Sequence, residues 1–176
     1  MSAEPWDDYA YTALIVFCFL FRKNAEGNEE ILLIRRANDP YKGETTVPGG
    51  RKRRGESLRE ACVREMGEET GYVLDPEKLT FAGILHAWRD GDAMEYVSHY
   101  FVCREFEGSL RGSDEGDLLW CGVAESKLLT GIHPFYVYLL PRVCEGVPFD
   151  AAVRISSDGK YGYYPNVDDV NGERST

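Results

Sequence analysis

The chain has few of the residues that build thiolate metal sites or disulfide frameworks. It contains only 3 histidines and 5 cysteines among 176 residues, and no two cysteines stand in a C-x-x-C pair. Structural zinc sites and disulfide frameworks normally show close or regular spacing of these residues. His86, His99 and His133 likewise lack metal-ligand spacing. We therefore predict neither kind of site, and free thiols in a reducing, cytoplasmic location.

Long hydrophobic runs are also missing. The longest one, TALIVFCFLF at 12–21, has ten residues, whereas a helix needs roughly 20 to cross a bilayer. The residues before it include Glu4, Asp7 and Asp8, instead of the basic segment that opens a signal peptide. Because the run is rich in β-branched and aromatic residues, we predict a buried strand and no membrane partner.

Positive charge is scarce. Lys and Arg number 20 against 30 Asp and Glu, which gives a formal net charge of -10. Binding to duplex nucleic acid through bulk charge needs a basic surface, so we predict no such partner, although a small phosphorylated ligand is compatible. The basic run at 51–54 is short, and contact with substrate phosphates or simple solvation explains it better than a nucleic-acid patch.

What remains is the composition of one globular domain. The chain is 43% hydrophobic and 12% aromatic, which suits a single domain with a core of its own. We assign this domain to residues 1–176, with an ordered core at about 10–164 and a polar, flexible tail at 165–176. The sequence leaves the oligomeric state open, with a homodimer as one option.

Hydrophobic patterning predicts an alternation of strands and helices. A helix at about 57–70 begins after a capping Ser57, and a shorter one at 134–144 begins at Pro134 and is disturbed by Pro141. Gly49 and Gly50 fall in a predicted loop between the second strand and the first helix. The predicted strands are 12–21, 31–36, 79–88, 95–106, 117–123 and 149–156.

Three glutamates on the first helix call for a physical explanation. Leu58, Ala61 and Cys62 form its apolar stripe, and Glu65 and Glu69 continue that stripe at helical spacing, with Glu68 beside them. Burying carboxylates without a positive partner costs several kcal/mol per group. A divalent cation with oxygen ligands, Mg²⁺ or Mn²⁺, would remove that cost.

A solvated charged face is the alternative explanation for these residues. In that arrangement Glu60–Arg64 and Arg64–Glu68 would pair one helical turn apart. A solvated face would place the glutamates opposite the apolar stripe, whereas two of the three extend it. The spacing therefore favours the metal site.

The same segment resembles the signature of Nudix hydrolases. The match consists of Gly50, five residues, Glu56, seven residues, Arg64-Glu65, Met66, one residue, Glu68-Glu69, one residue, Gly71 and Tyr72. Tyr72 stands where the family usually has an aliphatic residue, and no departure touches a predicted ligand. The resemblance implies an α/β fold, an α/β/α sandwich with a mixed β-sheet and flanking helices, and Mg²⁺-dependent hydrolysis of a nucleoside diphosphate linked to another group.

The resemblance also implies roles for particular residues. Glu65, Glu68 and Glu69 match the metal ligands, with Gly50 in the loop beside the metal, and Arg64 matches the residue that orients one of the glutamates. Mg²⁺ is the expected cofactor and Mn²⁺ a substitute. Arg36, Arg51, Arg53 and Trp120 are further candidates for contact with substrate.

The layout of the remaining chain is similar to the MutT-type branch, which hydrolyses oxidised purine nucleoside triphosphates. Glu115, ahead of Trp120, matches an acid that faces the metals in those relatives, which makes it a candidate general base or fourth ligand; a plain loop acid is the alternative. Relatives that read oxidised guanine carry an Asp where this chain has Ile132, so the resemblance leaves base recognition open. Trp88, Phe101, Trp120 or Phe135 could stack on a base, or could simply fill the core.

Three functions follow from the resemblance. The first is hydrolysis of a nucleoside triphosphate to a monophosphate and pyrophosphate. The second is a pyrophosphatase of ADP-ribose, a dinucleotide or a sugar nucleotide, which would use the same metal site. The third is a non-catalytic module that senses a nucleotide, and we rank it last because such modules tend to lose glutamates that this chain retains.

Overall fold

The computed structural model describes the backbone of residues 11–166 and the side chains of residues 11–163. Eleven strands and three α-helices are assigned within that range, together with a 3₁₀ turn at Pro76–Lys78. The strands are β1 (Tyr11–Lys23), β2 (Glu29–Arg36), β3 (Thr45–Thr46), β4 (Gly49–Arg51), β5 (Tyr72–Leu74), β6 (Thr80–Arg89), β7 (Met94–Cys103), β8 (Phe106–Gly108), β9 (Gly116–Gly122), β10 (Phe149–Ile155) and β11 (Tyr161–Asn166). The helices are α1 (Leu58–Thr70), α2 (Val123–Ser126) and α3 (Pro134–Glu145).

Nine strands form one mixed sheet around β1. Its main order is β11-β10-β6-β7-β1-β2-β3, while β4 pairs with β1 and β9 pairs with β2. Residues 11–20 of β1 pair with β7 in parallel, whereas its last three residues turn away to pair with β2. β5 and β8 form a separate antiparallel pair.

The alternation of side chains along β1 explains why both faces of the sheet are covered. Val16, Cys18 and Leu20 point to one face and pack with Ala61, Cys62 and Met66 of α1. Phe19 and Phe21 point to the other face, where the residues they join include Tyr136, Leu139, Leu140 and Val143 of α3. Because successive strand residues face opposite sides, one apolar run supplies two cores. This is the predicted sandwich of a mixed sheet between helices.

Most predicted elements occur within a few residues of their expected ends. The run at 12–21 lies inside β1, and the helices predicted at 57–70 and 134–144 correspond to α1 and α3. The strand predicted at 95–106 was too long, because β7 ends at Cys103 and a separate strand begins at Phe106. Pro141 lies inside α3, which continues past it to Glu145 although a proline has no N–H to donate within the helix.

The prediction that Gly49 and Gly50 lie in a loop was also wrong. Both belong to β4, where Gly49 pairs with Phe17 and Gly50 with Val16 of β1. A Cβ added at Gly49 would lie 2.1 Å from the carbonyl oxygen of Val16, and its φ of 154° is one that other residues rarely adopt. Glycine is thus needed here for close strand contact and not for a flexible turn.

No helix among residues 11–166 is long and apolar enough to cross a membrane. The tail predicted at 165–176 lies outside the described residues except for its first two positions, which end β11. The cytoplasmic location stays a prediction.

Candidate active site

The first helix starts and ends at residues that satisfy its free backbone groups. The Ser57 hydroxyl accepts from the backbone N–H of Glu60, and the Glu60 carboxylate accepts from the backbone N–H of Ser57. This is a reciprocal capping box, and it confirms the predicted cap at Ser57. Glu60 therefore serves the helix terminus. At the other end Gly71 adopts a left-handed φ of 77°.

Arg64 connects the acidic groups of this helix. Its Nη1 donates to Glu65 Oε1 at 2.7 Å and to Glu68 Oε2 at 3.0 Å, and its Nη2 donates to the carbonyl oxygen of Arg51 at 3.0 Å. The guanidinium side chain is only 17% exposed. A planar group with five donors in fixed positions can hold several carboxylates at once. Arg64 thus holds one oxygen of Glu65 and one oxygen of Glu68. The resemblance implied that it orients one of the glutamates.

Glu56, which the sequence analysis named only as a fixed position of the signature, is also a member of this network. Arg64 binds it through two parallel bonds, Nε to Oε2 at 3.0 Å and Nη2 to Oε1 at 2.7 Å. This pairing with Arg64, aided by the backbone N–H of Arg53, lowers the pKa of Glu56 to about 2. Glu56 precedes the helix and lies eight positions from Arg64, so helical spacing gave no signal for the contact.

Glu69 is the most enclosed of the three glutamates. It is 6% exposed, whereas the side chains of Glu65 and Glu68 are 14% and 48% exposed. Its Oε2 accepts a hydrogen bond of 2.9 Å from the backbone N–H of Gly49 in β4. Glu65 and Glu69 therefore lie on the inward side of α1, as their position on the apolar stripe predicted.

The electrostatic environment opposes the negative charge of these two groups. Burial, assisted by the charges of Glu65 and Glu115, raises the pKa of Glu69 to about 8, against the lowering effects of Gly49 and Arg36. Burial also raises the pKa of Glu65, although Arg64 acts in the opposite direction. A site that disfavours its own carboxylates in this way is suited to receive a positive ligand.

Gly50 lies directly against the Glu65 carboxylate. A Cβ added at Gly50 would be 2.6 Å from both Cδ and Oε2 of Glu65. Only a residue without a side chain lets β4 approach the helix this closely. The backbone of Gly50 therefore lies next to Glu65, one of the predicted ligands.

Glu115 and Arg36 lie within electrostatic range of Glu69. The charges of both act on the pKa of Glu69, Glu115 raising it and Arg36 lowering it. The carbonyl oxygen of Glu115 accepts from the backbone N–H of Ala37 at 2.9 Å, which fastens the loop before β9 to the end of β2. The Glu115 carboxylate is exposed and lies 3.4 Å from Asn38 Nδ2.

The other predicted substrate contacts have different surroundings. Arg53 pairs with Glu68 at 3.1 Å, while the side chain of Arg51 is exposed on β4. Trp120 packs with Phe106, with ring centroids 6.0 Å apart, and Arg22 lies 4.1 Å above its ring. Trp120 thus belongs to the packing on the α1 side of the sheet, and its contacts give no support for stacking on substrate.

The donor chemistry of the site fits a hard divalent cation. Carboxylate oxygens and the β4 backbone are the groups that Mg²⁺ and Mn²⁺ prefer, and Glu69 has a single backbone donor to offset its burial. Among residues 11–163, no three His, Cys, Asp or Glu side chains converge closely enough to hold an ion as they stand. In this arrangement Arg64 pairs with Glu65 and Glu68, and Arg53 also pairs with Glu68.

Comparison with known proteins identifies the family. A family profile described as the NUDIX domain matches residues 12–143, which includes the sheet centre, α1 and most of α3. The chain therefore belongs to the Nudix family. Members of this family generally use a divalent metal and act on small nucleotide substrates.

Two curated relatives carry informative names. An ADP-ribose pyrophosphatase from Methanocaldococcus jannaschii is 34% identical over 90 residues, which is 51% of this chain and 52% of that protein. A human 8-oxo-dGDP phosphatase is 35% identical over 89 residues, 51% of this chain and 25% of that protein. The chain thus spans about half the length of the former and a quarter of the latter.

Solved structures show the same fold. A MutT protein from Bacillus halodurans superposes with a TM-score of 0.73 at 23% sequence identity, covering 86% of this chain and 96% of that one. At this identity the likeness concerns the arrangement of strands and helices, and it confirms the predicted Nudix architecture.

Proposed function

We propose that the protein catalyses Mg²⁺-dependent hydrolysis of a phosphoanhydride bond in a nucleoside triphosphate, with a nucleoside monophosphate and pyrophosphate as products. The observation that carries the proposal is the buried carboxylate of Glu69 on α1. Its pKa is raised by burial and by the charges of Glu65 and Glu115. A structural helix would gain nothing from burying such a group against two like charges.

Some residues of the proposed site would bind the metal ion, and others keep those residues in position. Glu65, Glu68 and Glu69 would hold Mg²⁺ or Mn²⁺ together with the backbone at Gly50, and the bound ion would neutralise phosphate oxygens and lower the pKa of water. Arg64 and Glu56 keep the helix carboxylates in place. Glu115 would accept the proton of the attacking water or serve as a further ligand. Arg36 and the basic loop would bind phosphate oxygens.

Hydrolysis of an anhydride requires little covalent chemistry from protein side chains. The phosphorus is surrounded by negative oxygens, so positioning and charge neutralisation dominate the barrier. The side chains named above provide fixed acceptors on α1, a fixed acid on the opposing loop and a cation at the end of β2. The three kinds of group come from three separate segments of the chain.

Hydrolysis of ADP-ribose is the second candidate. It is favoured by the similarity to the relative from Methanocaldococcus jannaschii, which is named an ADP-ribose pyrophosphatase. The same carboxylates would bind the metal ion for this reaction. The residues on α1 therefore do not indicate whether the substrate is a nucleoside triphosphate or ADP-ribose. A sensing module remains the least supported alternative, because Glu65, Glu68 and Glu69 are all retained.

Product analysis tests the proposal. Purified protein with Mg²⁺ is incubated with nucleoside triphosphates, ADP-ribose and a dinucleoside polyphosphate, and the products are separated by anion exchange. We expect a monophosphate and pyrophosphate from triphosphates, with slower cleavage of ADP-ribose. Strong activity on ADP-ribose with none on triphosphates would replace the first candidate by the second. No cleavage of any substrate would overturn both.

A further inference from the structure

Arg53, in the loop between β4 and α1, reaches one of the predicted metal ligands. Its Nη2 donates to both oxygens of Glu68, at 3.1 Å to Oε1 and 3.2 Å to Oε2. The two residues are 15 positions apart in the sequence, so the path of the loop brings them together and helical spacing does not. A guanidinium thus lies against the most exposed of the three glutamates on α1.

Glu68 also pairs with Arg64, and the two arginines differ in their freedom to move. Arg64 donates to Glu68 at 3.0 Å, and the same guanidinium binds Glu56 through two hydrogen bonds and the carbonyl oxygen of Arg51 through another. The side chain of Arg64 is 17% exposed, whereas that of Arg53 is 63% exposed. Burial and several partners hold Arg64 in place, so Arg53 is the arginine that can leave Glu68.

The backbone of Arg53 is fixed although its side chain is exposed. Its N–H donates to Glu56 Oε1, and its carbonyl oxygen accepts from Lys52 Nζ at 3.1 Å. Glu56 is itself held by Arg64. The side chain of Arg53 therefore starts from a fixed point beside α1, and its guanidinium can change partners while it stays close to the acidic residues of the helix.

Arg53 and a metal ion would compete for Glu68. The proposed function assigns the Glu68 carboxylate to the metal ion, and the guanidinium of Arg53 contacts both oxygens of that carboxylate. Two cations on one carboxylate repel each other. Exposed ion pairs are weak, so a divalent ion would displace Arg53, and the arginine would only lower the affinity for the ion.

The phosphate groups of the substrate are the new partner that suits a displaced Arg53. They would bind beside the metal ion, within reach of a side chain whose backbone is fixed next to α1. The planar guanidinium binds two phosphate oxygens at once, as it binds two carboxylate oxygens here. The arginine would thereby exchange one anionic partner for another.

We propose that Arg53 exchanges partners when ligands bind: it competes with the metal ion for Glu68 and, once the ion is bound, binds the phosphate groups of the substrate. The proposal rests on the proposed metal-dependent hydrolysis and adds a coupling between its two ligands. Arg53 weakens the binding of metal alone and strengthens the binding of phosphate when metal is present. Because such coupling is reciprocal, phosphate also raises the affinity for metal through Arg53.

Binding of Mn²⁺ alone tests the competition, because it needs no substrate. Electron paramagnetic resonance measures free Mn²⁺ in titrations of the wild type, Arg53→Gln and Arg54→Gln. Arg54 is an exposed neighbour in the same loop, so its variant is a control that removes an equal charge. We expect Arg53→Gln to tighten Mn²⁺ binding by about two- to fivefold, the range for loss of an exposed ion pair. Arg54→Gln should change it by less than about 1.5-fold, because solvent and salt screen that charge.

Glu68→Gln separates competition at this carboxylate from a general effect of charge. In a Glu68→Gln background the group that Arg53 and the ion share is neutral, so Arg53→Gln should change the Mn²⁺ affinity no more than Arg54→Gln does. Tightening that persists in this background would overturn the proposal. The absence of tightening by Arg53→Gln in the wild-type background would overturn it as well.

Pyrophosphate tests the second partner of Arg53. Titration calorimetry measures its binding at saturating Mn²⁺, and Arg53→Gln should weaken that binding by about tenfold, the effect of losing a charge-assisted hydrogen bond. Lys23→Gln removes an equal charge at the exposed end of β1 and should leave the affinity within about twofold of the wild type. Equal affinities of Arg53→Gln and the wild type for pyrophosphate would overturn the exchange.

These outcomes distinguish the proposal from the proposed function. If the wild type cleaves nucleotides but Arg53→Gln fails either titration, hydrolysis stands and the exchange is wrong. If the wild type cleaves no nucleotide, the proposed function fails, and the Mn²⁺ titrations still decide the competition for Glu68. A wild type that binds no Mn²⁺ would overturn both. Circular dichroism and thermal melting confirm that each variant is folded.

Discussion

Ionisation of Glu69 destabilises the metal-free protein, because its pKa is raised to about 8 by burial and by the charges of Glu65 and Glu115. In the unfolded chain the same group has an ordinary pKa of about 4.5. The folded state therefore binds the proton more tightly, and its stability is greatest below the unfolded value. That stability is lost as the pH rises through the interval from about 4.5 to about 8.

Glu69→Gln should remove this pH dependence. Gln cannot ionise but can still accept from Gly49, so in the presence of EDTA the variant should melt at a higher temperature than the wild type at pH 8. The two proteins should differ little at pH 5. Calorimetric melting from pH 5 to 9 checks this, with Glu68→Gln as an exposed control that should show no such gain. Parallel curves for wild type and Glu69→Gln would contradict it.

The same variant should lose most Mg²⁺-dependent turnover. Removing one charged ligand from a metal site that neutralises phosphate oxygens should lower kcat by at least about 10²-fold. The combination of higher stability without metal and lower activity with metal is what distinguishes a ligand from a core residue. Near wild-type kcat at saturating Mg²⁺ would show that Glu69 is not an essential ligand.

Glu115→Gln tests the acid on the opposing loop. If Glu115 accepts a proton from water, kcat should fall by roughly 10²-fold while KM changes little. Because Glu115 is exposed, the melting temperature should stay near that of the wild type. Glu107→Gln, an exposed acid on β8, is a control that should leave kcat unchanged. A structure with Mg²⁺ and nucleotide in which the Glu115 carboxylate lies far from the phosphates would exclude the role.

Two glycines around α1 differ in what a methyl group would meet. At Gly50 an added Cβ would lie 2.6 Å from the Glu65 carboxylate, whereas at Gly67 the nearest atom is the Tyr72 carbonyl oxygen at 3.8 Å. Gly50→Ala should displace the Glu65 carboxylate from its place beside Arg64 and so move a proposed metal ligand, while the backbone of β4 and α1 can stay in place. We therefore expect a larger loss in kcat than in melting temperature.

Gly67→Ala is the matched substitution within the helix. Gly67 is exposed at the start of the last turn of α1, and alanine there should stabilise the protein by about 0.5–1 kcal/mol through its higher helix propensity. Urea denaturation of both variants measures the contrast. Equal stabilities and equal activities for the two alanine variants would contradict the role of Gly50 as a close neighbour of Glu65.

At the scale of elements, regular periodicity made α1, α3 and the long strands predictable. The short strands β5, β8 and β11 were not predicted, because three to six residues carry too little pattern. β4 was missed because its glycines are typical of turns, and only the tertiary contact with Val16 and Phe17 explains them. α3 continues past Pro141 to Glu145, and its buried residues Tyr136, Leu139, Leu140 and Val143 pack against the sheet.

Within the candidate site the sequence pointed to the acidic side chains and to Arg64, but not to the contacts of Gly49 and Glu56. The stripe positions of Glu65 and Glu69 follow from helical geometry alone. The hydrogen bond from Gly49 to Glu69 and the two parallel hydrogen bonds from Arg64 to Glu56 join residues at non-helical spacings. No local pattern could bring such residues together.

At the scale of the whole molecule, the choice of substrate concerns how the segment before α3 treats the base. Ile132, in that segment, has no polar side-chain atom with which to bind an oxidised base. We therefore expect 8-oxo-dGTP and dGTP to be hydrolysed with kcat/KM values of the same order. Steady-state kinetics decides this, and a preference above about 10³-fold for 8-oxo-dGTP would show that another residue reads the oxidised position.

The parallel pairing of β1 with β7 has a consequence for how the chain reaches this fold. Tyr11 pairs with Met94, and Leu20 with Cys103, so the central strand is synthesised more than eighty residues before its longest partner. Pairing over such a separation is slow, because a long loop must close first. In the interval the apolar run at 12–21 has only the elements before β7 to cover it, chiefly β2, β4 and α1, while α3 on the other face is not yet made. Aggregation during synthesis, and its relief by chaperones or lower temperature, should therefore depend on this strand more than on α1.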